Sequence, residues 1–276
     1  MKHKSWVALW KYAIMVVVCL VVGFPYFWLL TTSLKESSKI FLFPPQWLPD
    51  PVRWQNYVEL FTKTNYALYL WNSAKVSLLT TAGTVGVAAT AAFATAKIKF
   101  PGRNFFFLLF LCAMMLPVEV IAIPLFLGLA QVGLTNTHFS IIVPAFFGTG
   151  GAFGMFLMRQ FFITVPDDLM EAAKIDGCTP LRTFAQVFLP LASSVLATLV
   201  IYTFVNTWND YFVPLIFLNS SPLYTSTLAL ALFTDETGTT WNQLMAAATV
   251  STLPLLIVFF FSQKRFIESL ALSGIK

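Results

Sequence analysis

The sequence predicts an all-α integral membrane protein with six transmembrane helices. Hydrophobic residues make up 58% of the chain and charged residues only 11%, whereas a soluble domain carries about 25% charged residues. The apolar residues are concentrated in runs of about 20 residues, the length that a helix needs to cross the hydrocarbon core of a bilayer. Six such runs, separated by polar segments, indicate a chain that crosses the membrane six times.

The six predicted spans lie at residues 12–33, 76–96, 104–129, 139–158, 191–210 and 243–262. The first follows three lysines, as a signal peptide would, but it is longer than a signal core and no small-residue cleavage site follows it. We therefore interpret it as an uncleaved span and treat residues 1–276 as a single transmembrane domain. The second span is rich in alanine, glycine and threonine, which favours packing against other helices over contact with lipid.

Charged residues within the spans are few, and each is expected to have a partner. Glu119 lies in the third span, which Pro117 and Pro124 interrupt. Glu119 is either a group of the translocation pathway or half of a structural ion pair, and we favour the ion pair because an unpaired charge in hydrocarbon costs several kcal/mol. Lys75 and Asp210 lie near the ends of their spans, and we expect Lys75 to pair either with Asp210 or with Glu119.

The distribution of lysine and arginine predicts the orientation in the membrane. An even number of spans places both termini on one side. If that side is the cytoplasm, the cytoplasmic segments contain 12 of the 17 basic residues, in agreement with the positive-inside rule. We therefore expect an outer loop at residues 34–75 and a cytoplasmic loop at residues 160–190. The same bias accounts for the net charge of +5, so we expect lipid rather than nucleic acid as a partner.

A polar stretch at residues 165–191 interrupts the apolar sequence and predicts two short helices joined by a bend. Two capping boxes are possible at the start of the first helix, one formed by Thr164 with Asp167 and the other by Asp168 with Glu171. Either would place acidic residues in the first turn, where they complement the positive end of the helix dipole.

The first of these helices has a small and mostly apolar face. Its members recur at spacings of three and four residues and are Leu169, Ala172, Ala173 and Asp176. Gly177 follows at the position where a left-handed residue most readily ends a helix. Thr179 and Pro180 supply the N-cap and first residue of the second helix, which we expect to end at Leu189-Pro190. A helix, a bend and a helix with an alanine face predict a docking surface.

The residues of this stretch resemble a known motif. Glu171-Ala172-Ala173, Gly177, Val187 and Leu189-Pro190 are spaced as in the E-A-A loop of the membrane subunits of bacterial ABC importers, which usually has isoleucine in place of Val187. Four further segments are similar to the carbohydrate-uptake branch of that family, in particular to its maltose-permease-like second subunit. They are Asn206 to Leu215, Tyr224-Thr225, Trp241 to Met245 and Gln263 to Ile267.

The resemblance implies a fold and a set of functional residues. The fold is the six-helix bundle of type I ABC importer permeases, in which a coupling helix between spans four and five inserts into a separate ATPase subunit. The residues implied in ATPase coupling are Asp168, Glu171, Ala172, Ala173, Asp176, Gly177, Leu189 and Pro190. A contact of the C-terminal tail with the ATPase is implied at Gln263, Phe266 and Ile267, although Ser269 stands where the branch usually has glycine.

The resemblance also implies partners and a cargo. The chain would form a heterodimer with a homologous permease subunit in the bacterial inner membrane, and would assemble with an extracytoplasmic solute-binding protein and an ABC ATPase dimer that carries the ATP and magnesium. The cargo would be a sugar, namely an oligosaccharide, a disaccharide or a polyol. It would cross the membrane by alternating access. Candidate residues of the translocation pathway are Gly151, Asn206, Asn209 and Asp210.

Two of these assignments have alternatives. Close packing of helices explains a glycine such as Gly151 as well as contact with a substrate does. Trp208, which lies beside Asn206 and Asn209, is suited either to stacking on a sugar or to anchoring at the membrane interface.

Other functions find little support in the sequence. No G-x-x-x-x-G-K-[ST] phosphate loop occurs, so we expect ATP hydrolysis on another polypeptide. No H-E-x-x-H zinc motif and no G-x-S-x-G nucleophile elbow occur, so we expect neither a metal site nor an enzyme. The alternatives are an ABC permease for a non-sugar solute and a secondary transporter driven by an ion gradient. The latter needs ionisable residues at mid-membrane, and only Glu119 lies firmly within a span.

Overall fold

The structure, a computed structural model, describes residues 2–235 and 238–273 and is helical almost throughout. Its helices are α1 (Lys2–Ser33), α2 (Gln55–Lys63), α3 (Tyr66–Lys97), α4 (Arg103–Met114), α5 (Val118–Gln131), α6 (Phe139–Ala145), α7 (Thr149–Thr164), α8 (Asp168–Ile175), α9 (Pro180–Leu191), α10 (Ser193–Asn209), α11 (Phe212–Phe217), α12 (Ser226–Ala229) and α13 (Trp241–Ser273). Single 3-10 turns lie at Ser37–Lys39, Ser221–Leu223 and Leu230–Phe233. Strands β1 (Thr234–Asp235) and β2 (Gly238–Thr239) form a short antiparallel hairpin.

Four of the described helical segments are long and apolar enough to cross a membrane. They are Trp10–Ser33, Tyr66–Lys97, Phe139–Thr164 and Trp241–Gln263. Two further apolar stretches are pairs of helices with a sharp bend between them, α4 with α5 at 104° and α9 with α10 at 83°. If each bent pair is counted as one span, the total is six, the number expected from the sequence.

The third predicted span, residues 104–129, is broken at Pro117. Helix α4 ends at Met114, and Pro117 has an extended backbone (φ −60°, ψ 139°). Because proline has no N–H to continue the helical hydrogen bonds, a new helix begins at Val118. Pro124, the other proline expected to interrupt this span, lies inside α5 without ending it.

Helix α3 begins well before the predicted second span, so the last part of residues 34–75 is helical. The reason is tertiary. Asn72 Nδ2 donates hydrogen bonds to the carbonyl oxygens of Pro222 and Tyr224, at 2.9 and 3.0 Å. These bonds satisfy a polar side chain that is almost fully buried. A polar sequence that suggests a loop is therefore accommodated inside a packed helix.

Contacts divide the chain into two compact units. The first comprises residues 1–67 and 229–253, and the second comprises residues 68–228 and 254–276. The expectation of a single domain over residues 1–276 stays a prediction.

In the first unit, a buried polar network orders the segment that follows α1. Asn56 Nδ2 donates to the carbonyl oxygens of Ser33 and Lys35, both at 2.8 Å. Asn56 Oδ1 accepts from Asn242 Nδ2 at 3.0 Å. The Lys35 side chain is 1% exposed, and its ammonium lies 4.2 Å from the centroid of the Trp28 ring. The segment is therefore an ordered structure rather than a flexible linker.

In the second unit, an aromatic cluster lies where α3, α7 and α9 meet. Its members are all buried, have neighbouring ring centroids 5.1 to 6.5 Å apart, and are Phe93, Phe162, Phe184 and Phe188. Ala88, Ala89 and Ala92 of α3 belong to the same core. These three alanines of the second span thus pack against protein rather than lipid, as its composition predicts, whereas Gly86 is exposed.

The ion pairs differ from those predicted. Among the described residues they join Arg53 to Glu36 and Glu59, Lys63 to Glu59, and Lys97 to Asp167. None involves Lys75, Glu119 or Asp210, so the predicted pairings are wrong. The charge of Glu119 is stabilised in another way: the residue lies in the first turn of α5, where the helix dipole favours a negative charge.

Candidate functional site

Helix α8 carries four of the residues implied in ATPase coupling, and Asp176 follows it directly. Ala173 is only 6% exposed. Asp168, Glu171, Ala172 and Asp176 are all exposed. Ile175, which the motif does not include, is 87% exposed. The helix therefore packs through Ala173, and its outer surface combines acidic with apolar side chains. The predicted alanine face is divided, because adjacent residues of a helix point about 100° apart.

The C-terminus of α8 is closed by Gly177 in a left-handed conformation (φ 75°), which confirms the prediction. The N–H of Gly177 donates to the carbonyl oxygen of Lys174 at 3.1 Å, and the N–H of Cys178 donates to that of Ala173 at 2.9 Å. This pair of bonds is a Schellman motif. A Cβ at Gly177 would meet no atom within 4 Å, so the need for glycine is conformational rather than steric.

The N-terminus of α8 differs from both predicted capping boxes. The Asp167 side chain makes no capping hydrogen bond, and Thr164 Oγ1 donates to the carbonyl oxygen of Phe161. Asp167 Oδ1 instead accepts from Lys97 Nζ at 2.5 Å. Lys97 also donates to the carbonyl oxygen of Val165 at 2.6 Å. Asp167 binds Lys97 rather than capping α8 because a buried ammonium without partners costs more free energy than an uncapped helix end does.

The electrostatics of this contact follow from Lys97. Its hydrogen bond, and then its charge, lower the pKa of the Asp167 carboxyl below the usual range. The Lys97 side chain is 3% exposed while that of Asp167 is 76% exposed. Local sequence could not identify Lys97 as the partner of Asp167, because the two residues lie 70 positions apart in the chain.

The helix after the bend, α9, begins as predicted. Thr179 Oγ1 accepts from the N–H of Arg182 at 3.3 Å, and Pro180 is the first helical residue. The helix runs to Leu191, just past the predicted end at Leu189-Pro190. A π turn at Phe184–Phe188 precedes Pro190 and accommodates its missing N–H.

Two aromatic residues of α9 anchor the loop to the core. Phe184 and Phe188 are 7% and 0% exposed and belong to the aromatic cluster. Their spacing of four residues puts them on one face of the helix. That spacing was the sequence signal that could have identified them.

A cavity of about 610 Å³ lies in the second unit, with walls contributed by α3, α5, α6, α10 and α11 and by the break between α4 and α5. This volume falls within the range of about 300 to 1,000 Å³ that is usual for small-molecule sites. Asn206 and Asp210, two of the four candidate pathway residues, line it.

The other two candidates, Gly151 and Asn209, do not line this cavity. A Cβ at Gly151 would lie 2.0 Å from the carbonyl oxygen of Phe146, so the backbone between α6 and α7 leaves no room for a side chain at this position. Asn209 Nδ2 donates to the carbonyl oxygen of Val205 at 2.9 Å. Trp208 is 3% exposed and stacks on Phe204 with centroids 5.6 Å apart, which matches neither sugar stacking nor interfacial anchoring.

Asp210 has a structural contact besides its place at the cavity. Its Oδ1 accepts from the N–H of Val213 at 3.2 Å and so satisfies a free donor in the first turn of α11. The carboxylate therefore fixes the turn between α10 and α11.

The predicted tail contact is only partly described. Gln263 Nε2 donates to the carbonyl oxygen of Phe260 at 3.2 Å. The side chains of Phe266 and Ile267 lie outside the described part of the structure, so that contact stays a prediction.

Comparison with known proteins yields one family. The family model described as "Binding-protein-dependent transport system inner membrane component" matches residues 84–271. The chain is 31% identical over 277 residues to the sn-glycerol-3-phosphate transport system permease protein UgpE of Pectobacterium atrosepticum, covering 98% of each chain. It is 31% identical over 262 residues to the arabinooligosaccharides transport system permease protein AraQ of Halalkalibacterium halodurans, covering 94% of this chain and 93% of that relative.

A solved structure has the same fold. It is a bacterial ABC transporter involved in the import of the acidic polysaccharide alginate, and one of its chains superposes with a TM-score of 0.83 at 20% sequence identity. The superposition covers 96% of this chain and 98% of that one. The likeness confirms the all-α fold of an ABC importer permease that the sequence predicted, whereas the count of six spans and the coupling helix stay predictions.

Proposed function

This chain belongs to the family of binding-protein-dependent transport system inner membrane components, and we propose that it is the sugar-translocating permease subunit of an ATP-driven importer. The observation that carries the proposal is helix α8. It is closed by Gly177 at one end, tied through Asp167 to Lys97 at the other, and exposed on its outer surface. A short helix that is held rigidly in a loop between two spans can transmit a displacement from a bound ATPase.

The proposed assembly follows from this role. The chain pairs with a homologous permease subunit, and two ATPase subunits bind ATP and magnesium. The exposed side chains of α8, among them Glu171 and Ile175, contact the ATPase. The solute-binding protein delivers cargo from the opposite side, in keeping with the family description.

We propose that both termini and the loop at residues 160–190 face the cytoplasm. The positive-inside bias of the sequence favours this orientation. It places α8 on the side where ATP is available. Residues 34–75 then face outward, toward the binding protein.

The proposed cargo is a sugar or a related polyol. The relatives and the structural neighbour are described as transporters of sn-glycerol 3-phosphate, arabinooligosaccharides and alginate, all of which carry several oxygen substituents. The alternating-access mechanism would expose the cavity to each side of the membrane in turn as the ATPase closes and opens.

Co-purification with an ATPase subunit tests the proposal. A tagged chain should retain the ATPase, and membrane vesicles that contain the complex should import solute only with ATP inside. Ile175→Arg should release the ATPase, because the side chain is 87% exposed on α8. The matched control is Phe43→Arg, at a residue that is 94% exposed in the loop proposed to face outward. Uptake that follows an ion gradient and persists without ATP would instead favour a secondary transporter.

A further inference from the structure

A half-buried arginine near one end of α7 lacks a polar partner. The guanidinium of Arg159 stacks on the ring of Phe107 in α4, with its Cζ 4.0 Å from the ring centroid. Its Nε is buried, and within the described residues the guanidinium forms no hydrogen bond or ion pair. The two Nη nitrogens are not fully buried, so they can reach a ligand. A partly desolvated charge without a partner needs an explanation.

Two other arginines show how the guanidinium is usually satisfied. Arg53 pairs with two carboxylates, at 3.5 and 3.7 Å. Arg182 Nε donates a hydrogen bond to Gln186 Oε1 at 2.9 Å. Both are satisfied by side chains of this protein, whereas Arg159 is not.

The charges around Arg159 are mostly positive. Arg103, at the start of α4, lies close enough to Arg159 for the two positive charges to repel. The carboxylate of Asp167 lies near Arg103 and the exposed Lys99, but it is hydrogen-bonded to Lys97. Neither arginine forms an ion pair within the described residues, and the first turn of α4 contains no acidic residue. This part of the surface therefore attracts an anion.

The position of Arg159 along α7 indicates where that anion lies. Helix α7 ends at Thr164, so Arg159 lies only about 8 Å from the end of the helix at a rise of 1.5 Å per residue. A long cationic side chain at this depth can extend to the phosphate groups of the bilayer. Helix α4, on which the guanidinium stacks, also has an apolar surface that is 50% to 65% exposed, formed by Phe105, Phe106, Leu108 and Leu109. A basic group beside such a surface suits a ligand with an anionic head and apolar chains.

We propose that Arg103 and Arg159 bind the phosphate group of an anionic phospholipid, whose acyl chains lie along the exposed apolar surface of α4. A phosphate group offers several acceptor oxygens, and arginine binds it through two parallel hydrogen bonds. The acyl chains account for the apolar surface, which an acidic side chain of another subunit would leave uncovered. The inference goes beyond the proposed function, because this lipid is neither the cargo nor a subunit.

Lipid binding by the complete complex tests the site. The complex is stripped of lipid in detergent and titrated with dioleoylphosphatidylglycerol, which is anionic, or with dioleoylphosphatidylcholine, which has the same acyl chains and no net charge. Native mass spectrometry measures the bound lipid. We expect phosphatidylglycerol to bind at least about tenfold more tightly, because charge-assisted hydrogen bonds form only with the anionic site occupied. Equal binding of the two lipids would overturn the proposal.

A third probe separates a lipid from a free anion. Inorganic phosphate offers the same acceptor oxygens without acyl chains. We expect it to leave phosphatidylglycerol bound at equal concentration. Displacement of the lipid under this condition would show that the acyl chains contribute nothing, and the assignment to a lipid would be overturned.

Variants test the two arginines. Arg159→Gln should bind phosphatidylglycerol about tenfold more weakly and phosphatidylcholine as before. Arg159→Lys keeps the charge and should lose less, since lysine binds phosphate as a point charge. Arg103→Gln should also weaken binding, so the test does not depend on how well the Arg159 variants fold. The matched control is Lys11→Gln, at an exposed lysine near one end of the first span, and it should stay within about twofold of wild type because salt screens exposed charges.

The remaining outcomes decide against the site. Equal losses in Arg159→Gln and Lys11→Gln would show that net charge alone attracts the lipid. An unchanged preference for phosphatidylglycerol in both Arg159→Gln and Arg103→Gln would show that neither guanidinium binds it. If Arg159→Gln instead releases the ATPase while lipid binding persists, the guanidinium pairs with an acidic side chain of that subunit. Each of these results would overturn the proposal.

Discussion

Lys97 Nζ lies 2.5 Å from Asp167 Oδ1 and joins the last residue of α3 to the residue that precedes α8. The two ends of this contact differ in exposure, at 3% for the lysine side chain and 76% for the aspartate. Because Lys97 lowers the pKa of Asp167, the carboxylate keeps its charge to a lower pH than an ordinary aspartate does. The ion pair therefore links the residue that precedes α8 to the end of α3.

The unequal burial predicts an unequal effect of mutation. Asp167→Asn leaves the buried ammonium without its countercharge, whereas Lys97→Met leaves only an exposed carboxylate and keeps the apolar stem. We expect Asp167→Asn to lower the melting temperature and the solute-stimulated ATPase rate more than Lys97→Met does. The double variant should recover part of the loss. Lys99→Met, at an exposed lysine, is the control. Additive effects in the double variant would contradict a direct pairing.

The left-handed backbone at the end of α8 requires glycine at position 177. Its φ of 75° costs an ordinary residue about 1 to 2 kcal/mol, and a β-branched residue more. Gly177→Val should abolish transport and solute-stimulated ATP hydrolysis, while the spans still insert. Gly177→Asn should be milder, since asparagine tolerates this conformation. The control is Gly128→Ala in α5, where a Cβ meets nothing within 4 Å and φ is not positive. Wild-type transport by Gly177→Val would show that the bend has no coupling role.

Glu171 raises a separate expectation. It is exposed on α8 and forms no ion pair within the described residues. Its loss should therefore weaken docking of the ATPase without disturbing the loop. We expect the ATPase of a Glu171→Ala complex to wash off during purification while the melting temperature of the membrane subunits is unchanged. A lowered melting temperature with full ATPase retention would contradict a role in docking.

Substitution of Phe188 tests how strongly the loop depends on its packing against the aromatic cluster. The side chain is 0% exposed, and truncating a buried phenylalanine costs about 3 to 5 kcal/mol. Phe188→Ala should lower the melting temperature and uncouple ATP hydrolysis from import. Phe105→Ala removes the same atoms from a site that is 65% exposed and should be nearly neutral. Equal effects of the two substitutions would rule out the support proposed for α9.

At the start of α11, we expect Asp210 to stabilise the fold through a hydrogen bond rather than through its charge. Asp210→Ala loses the acceptor for the N–H of Val213 and should cost about 1 kcal/mol, as other capping contacts do. Asp210→Asn keeps a side-chain oxygen and should retain most of the stability. Thermal unfolding of both variants decides between them, and an equal loss would point to the charge.

The proposed orientation predicts a labelling pattern. Single cysteines at Ser37 or Lys63 should react with an impermeant reagent from outside the cell, and one at Lys174 only after permeabilisation. All three positions are exposed, unlike Thr183, which is 2% exposed in the loop and would label poorly from either side. The three native cysteines must first be replaced. The reverse pattern would invert the topology.

The sequence alone determined the features that depend on a few neighbouring residues or on composition. Runs of apolar residues indicated the spans, because the bilayer sets their length. Gly177 and Thr179 indicated the bend after α8, because left-handed backbone and N-caps favour particular side chains within one turn of a helix. The same reasoning failed at the start of α8, where Lys97, far away in the sequence, competes for Asp167.

Tertiary structure alone decided which distant groups meet. Asn72 lies inside α3 because carbonyl groups from residues 222 and 224 receive its hydrogen bonds. Gly151 has no room for a side chain beside the carbonyl group of Phe146, and Thr80 and Thr203 line one cavity although they lie on different helices. Local sequence restricts the backbone to a helix or a turn, but the partners of a buried polar group depend on which helices become neighbours, and that choice reflects the packing of the whole chain.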